Sequence, residues 1–173
     1  MFRHKEEGLE GDASLRAAKA VDSVILQGGD QARVVVIEDD EVVRRLLRIA
    51  LKMAGYEVSE ACDGPAGIKL CISERTDLVI TDISMPLMDG LEVITFLRRS
   101  MPQTRIIATS GGLIHGGVDL LSEAARLGAD MTFSKPFDLR RVVKMVGVLL
   151  EKGSVGRQVA EPPPPGADHP RSA

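Results

Sequence analysis

The stretch after a short apolar run places an acidic side chain where chemistry is possible. Residues 78–80 (Leu-Val-Ile) are typical of a strand buried on both faces, so Asp82 is predicted to emerge, exposed, at the carboxyl end of that strand. Pro86 cannot donate to a strand ladder, and Asp89-Gly90 is a turn pair. We therefore expect a loop between Asp82 and the next helix, with the carboxylate of Asp82 available to react.

Further polar side chains follow other predicted strands. Glu38 and Asp39 come directly after the first strand, Ser110 after the fourth and Lys135 after the fifth. Because the carboxyl ends of parallel strands meet at one edge of a sheet, and ligands bind there at a switch in strand order, we expect these side chains to lie close to Asp82.

Three converging carboxylates need a counter-charge. Two unit charges about 4 Å apart repel by about 4 kcal/mol at the effective dielectric constant of a protein surface. Mg²⁺ prefers carboxylate and water oxygens and leaves positions for phosphate oxygens. Asp82 could then act as a nucleophile that forms an acyl phosphate, with the Lys135 ammonium and the Ser110 hydroxyl binding the phosphoryl oxygens.

Alternating strand and helix patterns support that placement. The predicted strands cover residues 33–37, 56–61, 78–82, 105–109 and 131–134, and the predicted helices cover residues 41–54, 65–74, 90–99, 118–127 and 139–152. Five strands, each followed by a helix, predict an α/β fold with a five-stranded parallel, doubly wound sheet of the flavodoxin-like order 2-1-3-4-5. Asp40 is placed to cap the first helix, and glycines bracket a predicted loop after Ser110.

The ends of the chain differ from its middle. Residues 1–31 form an N-terminal extension, in which Leu15, Ala18, Val21 and Ile25 could share one face of a short helix. Residues 32–153 are the predicted domain, and residues 154–173 are a proline-rich tail that is expected to be disordered. These flanking stretches predict no separate output domain on this chain.

Composition excludes several function classes. The net charge is −3, and the chain has no Trp, one Tyr and four Phe, which argues against direct binding of nucleic acid. The apolar runs are too short to span a membrane, and the charged start does not resemble a signal peptide, so a cytoplasmic protein is expected. Cys62 and Cys71 are expected to be reduced and structural.

Four motifs, in family order over residues 33–152, resemble the response-regulator receiver domain of two-component signalling. They are Ile37-Glu38-Asp39-Asp40, Thr81-Asp82-Ile83-Ser84-Met85-Pro86-Leu87-Met88-Asp89-Gly90, Ala108-Thr109-Ser110-Gly111 and Ser134-Lys135-Pro136-Phe137.

The resemblance implies specific roles for these residues. Asp82 would accept phosphate from a histidine kinase or a histidine phosphotransfer protein and become 4-aspartylphosphate. Mg²⁺ would be held by Glu38, Asp39, Asp82 and the main-chain carbonyl of Ser84. Ser110 fills the switch position of the family and Lys135 its lysine position. A downstream effector would bind residues 118–152, and the protein would be a phosphoacceptor rather than an ordinary enzyme.

One departure leaves alternatives open. The family often has an aromatic residue three positions before the lysine, and this chain has Thr132 there, with Phe133 next to it on the opposite face of the strand. A receiver-like binding module that works without phosphorylation is one alternative. A phosphatase with an aspartyl intermediate is another, although Ser84 stands where such enzymes need a second aspartate.

Overall fold

The computed structural model describes residues 31–111, 114–115 and 118–154. The elements in chain order are β1 (Arg33–Ile37), α1 (Glu41–Met53), β2 (Glu57–Ala61), α2 (Gly64–Ser73), β3 (Leu78–Asp82), α3 (Gly90–Ser100), β4 (Arg105–Ser110), β5 (Ile114–His115), β6 (Val118–Asp119), α4 (Leu120–Leu127), β7 (Met131–Ser134) and α5 (Leu139–Ser154). No helix within these ranges is both long and apolar enough to cross a membrane. The predicted extension up to residue 30 and the tail from residue 155 lie outside the described ranges.

The main sheet is parallel and has the order β2-β1-β3-β4-β7. This confirms the predicted flavodoxin-like order, with β7 as the fifth strand. The register pairs Ile37 with Thr81 and Asp82 with Thr109, so β1, β3 and β4 end at the same edge of the sheet. All five residues of β3 are buried; the apolar run of residues 78–80 predicts this for the first three positions of a central strand.

Side chains from the sheet alternate between two hydrophobic layers. Val34 and Val36 of β1 point into a layer formed with α1 and α5, while Val35 and Ile37 point into a layer formed with α2, α3 and α4. Burying each large aliphatic side chain contributes about 1.5–3 kcal/mol. The two layers therefore fix the sheet and hold its polar edge in place.

Helix starts are set by aspartates. Asp40 accepts hydrogen bonds from the backbone N–H groups of Val42 and Val43 at 2.8 and 3.1 Å, so it caps α1 as predicted. These two bonds hold the pKa of Asp40 below its usual range. Asp89 forms a capping box with Glu92 at the start of α3. The first of these caps fixes the chain directly after the acidic pair Glu38 and Asp39.

The segment after β4 differs from the prediction. A helix from residue 118 was expected, but Val118 and Asp119 form a short antiparallel pair with Ile114 and His115, and α4 begins at Leu120. The reason is local: Asp119 has an extended backbone (φ −72°, ψ 109°), and its side chain accepts a hydrogen bond from the N–H of Leu121 at 3.1 Å. A residue that caps a helix in this way cannot also lie inside it.

Candidate functional site

Asp82 is the last residue of β3 and is only 3% exposed. Its Oδ1 lies 2.9 Å from Lys135 Nζ, and its Oδ2 accepts a hydrogen bond from the backbone N–H of Ser84 at 3.1 Å. Thr109 Oγ1 lies 3.5 Å from Oδ1, which is a weak contact. The expectation of an exposed carboxylate is therefore wrong, because side chains from the neighbouring strand ends cover Asp82.

Glu38 lies beside Asp82 and is 1% exposed. Lys135 Nζ donates a hydrogen bond to Glu38 Oε1 at 2.8 Å and lies 2.8 Å from Oε2. The loop that carries Glu38 is fastened from α1, because Arg44 Nη1 donates to the carbonyl oxygen of Glu38 at 2.7 Å and approaches that of Asp39 at 3.3 Å. The backbone of the acidic pair is thus held by a cation on the first helix.

The protonation equilibria of this cluster follow from burial and charge. Burial raises the pKa of Glu38, and the negative charge of Asp82 raises it further, while the hydrogen bond from Lys135 opposes both. Burial by itself lowers the pKa of Lys135, but its hydrogen bonds to Glu38 and Asp82 outweigh burial and leave that pKa raised. Lys135 therefore remains a cation at neutral pH.

The carboxylates fit a divalent cation. One oxygen from each of Glu38, Asp39 and Asp82 lies within 4.8 Å of the others. Both carboxylate oxygens of Glu38 lie 2.8 Å from Lys135 Nζ, and Asp39 is exposed towards solvent. Hard oxygen donors with room for water are the ligands that Mg²⁺ prefers. The backbone N–H of Ser84 donates to Asp82 Oδ2, which holds Ser84 beside the carboxylate. The role of the Ser84 carbonyl oxygen as a metal ligand stays a prediction.

Ser110 lies at the same edge of the sheet. It is fully buried at the end of β4, one residue beyond Thr109, which is the register partner of Asp82. Its carbonyl oxygen accepts a hydrogen bond from the N–H of Lys135 at 2.7 Å, which ties the ends of β4 and β7 together. The structure thus brings Asp82 and Lys135 into contact and places Ser110 on the adjoining strand end.

Thr132 of β7 places a small side chain three residues before Lys135, where the resemblance leads one to expect an aromatic residue. Phe133 is 7% exposed, belongs to the layer of α1 and α5, and meets Phe137 edge to face at 6.4 Å. Thr132 lines a pocket of about 320 Å³ together with Leu121 of α4 and Arg141 of α5, and Phe133 and Phe137 line the same pocket. Because Phe133 packs in the layer of α1 and α5, it does not take the place of an aromatic side chain at Thr132.

Sequence reasoning missed two side chains of the site. Arg44 has no predicted role, although a long cation in the first turns of a helix can reach back to the loop before it. Thr109 was read only as a strand residue, yet its register position opposite Asp82 puts its hydroxyl beside the carboxylate. In both cases the useful signal is position relative to a strand end rather than residue type.

Known proteins resemble this chain over the same stretch. The family model described as the response regulator receiver domain matches residues 34–147. The transcriptional regulatory protein PrrA of Mycobacterium leprae (strain TN) is 34% identical over 125 residues, covering 72% of this chain and 52% of PrrA. Sporulation initiation phosphotransferase F of Bacillus subtilis (strain 168) is 29% identical over 110 residues, covering 64% of this chain and 86% of that protein.

Solved structures share the fold. A CheY-like receiver domain protein from Methanospirillum hungatei JF-1 superposes with a TM-score of 0.67 at 22% identity, over 73% of this chain and 98% of that one. Chemotaxis protein CheY4 of Vibrio cholerae gives a TM-score of 0.62 at 26% identity, over 69% and 98%. The chain spans about half the length of several curated relatives that it matches, such as PrrA (52%) and RpaA of Synechocystis (49%). Because the family model covers well over half of the sequence and the sheet carries its acidic pair, aspartate and lysine at one edge, the chain belongs to the family of response regulator receiver domains.

Proposed function

We propose that this chain is a response regulator with one receiver domain, residues 32–153, that accepts a phosphoryl group on Asp82. The donor would be a histidine kinase or a histidine phosphotransfer protein, and the signal would pass to a separate effector protein through a change of conformation. The observation that supports the proposal best is the buried contact of Asp82 with Lys135 beside two further carboxylates. A kinase donor of this class implies a cytoplasmic location.

The proposed reaction transfers a phosphoryl group from the imidazole of a histidine to the carboxylate of Asp82. A carboxylate oxygen of Asp82 attacks the phosphorus of a phosphohistidine, the bond from phosphorus to nitrogen breaks, and its electron pair stays on the imidazole. The product is an acyl phosphate on Asp82. The ammonium of Lys135, now 2.9 Å from Asp82 Oδ1, would pair with a phosphoryl oxygen, and the hydroxyl of Ser110 would donate to another.

A bound Mg²⁺ would neutralise negative charge on the phosphoryl oxygens. Glu38, Asp39, Asp82 and the carbonyl oxygen of Ser84 are the groups proposed to hold it. The approach of oxygens from Glu38, Asp39 and Asp82 to within 4.8 Å of one another supports this assignment, as does the exposure of Asp39 to the solvent from which water ligands would come.

The effector is proposed to bind the surface formed by β7, α4 and α5. Ser110 connects the site to this surface, because its carbonyl oxygen is bonded to the N–H of Lys135 at the end of β7. Acyl phosphate at Asp82 would shift an equilibrium between two arrangements of this region, which needs a difference in affinity of only a few kcal/mol. Since Thr132 is small, the segment after Ser110 would carry the movement rather than an aromatic side chain.

The proposal is tested by incubating the full chain with acetyl phosphate and Mg²⁺ and measuring intact mass. We expect the mass of one phosphoryl group to be added, to be lost in mild alkali, and to be absent in Asp82→Asn. Asp77→Asn is the matched control, because Asp77 directly precedes the opposite end of the same strand, where it accepts from the N–H of Arg33 at 2.9 Å. A wild-type chain that takes up no phosphate would contradict the proposal.

The same assay separates the alternatives. A binding module that works without phosphorylation predicts no uptake, and the small side chain of Thr132 is the feature that favours it. A phosphatase predicts many turnovers on a phosphomonoester. Such a phosphatase needs a general acid two residues after Asp82, and Ser84 at that position has no carboxyl group. We expect one phosphoryl group per chain and no such turnover.

A further inference from the structure

One side chain holds the two peptide groups on either side of Asp39. Arg44 Nη1 donates to the carbonyl oxygen of Glu38 at 2.7 Å and approaches that of Asp39 at 3.3 Å. The first carbonyl belongs to the peptide group before Asp39, and the second belongs to the peptide group after it. Because each peptide group is planar, holding both of them limits the two backbone dihedral angles of Asp39. The direction in which the Asp39 side chain leaves the backbone is thereby limited as well.

Asp39 depends on its backbone more than the other two carboxylates of the site do. Glu38 and Asp82 are buried and lie 2.8 and 2.9 Å from Lys135 Nζ, and Asp82 also accepts from the N–H of Ser84 at 3.1 Å. Asp39 is exposed, and it forms no ion pair within the described part of the chain. An exposed side chain loses conformational freedom when it binds a cation. How well Asp39 can serve as a ligand therefore depends on how firmly its backbone is held.

The loop that carries Asp39 is fastened elsewhere only at its two ends. The N–H of Glu38 donates to the carbonyl oxygen of Ala61, the last residue of β2, at 3.1 Å, and Asp40 caps α1. The N–H of Arg44 donates to the carbonyl oxygen of Asp40 at 2.9 Å, so the side chain of Arg44 starts one helical turn from the loop. Arg44 is half-buried, which protects its hydrogen bonds partly from water. Arg44 thus holds the middle of the loop, where Asp39 lies.

The charge of Arg44 and its hydrogen bonds should affect a bound cation in opposite directions. A positive charge repels a divalent cation, so the charge by itself would weaken metal binding. The hydrogen bonds orient the chain that carries two of the ligands, and removing groups that orient metal ligands typically lowers affinity about 10–100-fold. The sign of the change in affinity on removing Arg44 therefore shows which effect is larger.

We propose that Arg44 is a positioning residue for the divalent cation and strengthens its binding by holding both peptide groups that flank Asp39. This inference rests on the proposed function, because the cation is the Mg²⁺ that phosphorylation of Asp82 would use. Arg44 acts through Asp39 and does not touch the cation. Since Arg44 is only half-buried and its charge opposes the effect, the lower end of the range applies, and removing the side chain should weaken binding about tenfold.

The test measures binding of Mn²⁺ to the full chain from the loss of the electron paramagnetic resonance signal of free Mn²⁺. Mn²⁺ prefers the same carboxylate and water oxygens as Mg²⁺, and the measurement needs no phosphorylation. We expect Arg44→Met, which keeps a long side chain without charge or donors, to bind Mn²⁺ about tenfold more weakly than wild type. Arg45→Met is the matched control. It removes the same charge from the next position of α1, where the side chain is exposed, and should change the affinity by less than about twofold.

Further variants separate this role from a merely structural one. A residue that only stabilised α1 would lower the melting temperature of metal-free Arg44→Met and leave the Mn²⁺ affinity of the folded chain unchanged. Glu38→Gln should weaken binding more than Arg44→Met does, which would assign the measured binding to the acidic edge. If circular dichroism shows that Arg44→Met does not fold, Arg44→Lys repeats the measurement. Lysine keeps the charge but is one atom shorter and lacks the guanidinium group, so binding should again be several-fold weaker than in wild type.

Four results would overturn the inference. Arg44→Met that binds Mn²⁺ as tightly as wild type, or more tightly, would show that the hydrogen bonds to the two carbonyl groups do not strengthen binding. Arg45→Met as weak as Arg44→Met would show that the effect does not come from those hydrogen bonds. Unchanged binding in Glu38→Gln would place Mn²⁺ elsewhere on the chain. A wild-type chain that binds no Mn²⁺ would contradict the proposed metal site as well, whereas uptake of phosphate at Asp82 is measured separately with acetyl phosphate.

Discussion

Two buried carboxylates depend on one ammonium group for their counter-charge. Lys135 Nζ lies 2.8 Å from Glu38 and 2.9 Å from Asp82, whose side chains are 1% and 4% exposed. Lys135→Met keeps an unbranched side chain but removes the charge. We expect this substitution to lower the free energy of unfolding, because it leaves Glu38 and Asp82 facing each other in a site with little water.

The expected size follows from the geometry. At just under 3 Å and an effective dielectric constant of about 20, each of the two ion pairs is worth about 6 kcal/mol before desolvation is subtracted. Removing one partner of a buried pair typically costs about 3–5 kcal/mol. The lower end applies to Lys135→Met, because the Lys135 side chain is 23% exposed and water can enter. With a urea dependence of about 1.5 kcal/mol per molar, a loss of about 3 kcal/mol lowers the midpoint by about 2 M.

The loss should depend on pH in a defined direction. Burial already raises the pKa of Glu38, and Lys135→Met removes a hydrogen bond that lowers it. A carboxyl whose pKa is higher in the folded state binds protons more readily when folded, so stability increases as the pH falls towards that pKa. The difference between Lys135→Met and wild type should therefore be largest near neutral pH and shrink as the solution is acidified.

Urea unfolding followed by far-ultraviolet circular dichroism, with chelator present, measures this difference near pH 7.5 and pH 5.5. Lys144→Met is the control, because Lys144 is an exposed lysine on α5 away from the carboxylates, and it should change stability by less than about 0.5 kcal/mol. If Lys135→Met unfolds at the same urea concentration as Lys144→Met at both pH values, the carboxylates do not depend on Lys135 and the electrostatic account of the site is wrong.

Two further predictions concern packing and thiol reactivity. A Cβ atom on Gly90 would lie 2.1 Å from the carbonyl oxygen of Asp82, so Gly90→Ala should destabilise the chain by about 3 kcal/mol in thermal unfolding. Gly111→Ala is the control, because a Cβ atom there has nothing within 4 Å, and it should be near neutral. Equal melting temperatures of the two variants would refute this prediction. Burial raises the pKa of the Cys71 thiol to about 11, so titration with a disulfide reagent near pH 8 should modify exposed Cys62 at once and Cys71 only after denaturation; prompt reaction of both would contradict it.

The sheet could be predicted because its pattern is strong. Runs such as residues 78–80 have no polar position, which only a strand covered on both faces tolerates, and the intervening helices carry clear stripes. The hairpin of Val118 and Asp119 could not be predicted, since two-residue strands are too short to show a period. By residue type Asp119 favours an N-cap over a helix interior, but residue type alone does not show that the two residues before α4 pair as a strand.

The site was predictable in position but not in its electrostatic state. Asp82 follows a recognisable strand, so its place at the edge could be derived from sequence. Its burial could not, because the side chains around it, Lys135 and Thr109, come from other strand ends and their approach depends on register. The role of Arg44 was also hidden, since an arginine on the polar side of a helix usually stays in solvent.

The pairing of Lys135 has a consequence for the proposed reaction. In the structure its ammonium is already bound to Glu38 and Asp82, so it must loosen at least one of these contacts to reach an incoming phosphoryl group. Three carboxylates and one ammonium leave two negative charges, which a single divalent cation would neutralise. Without such a cation, moving Lys135 would expose Glu38 and Asp82 to each other, and adding a phosphoryl group would increase the repulsion. Phosphorylation of Asp82 should therefore require the cation for charge balance as well as for chemistry.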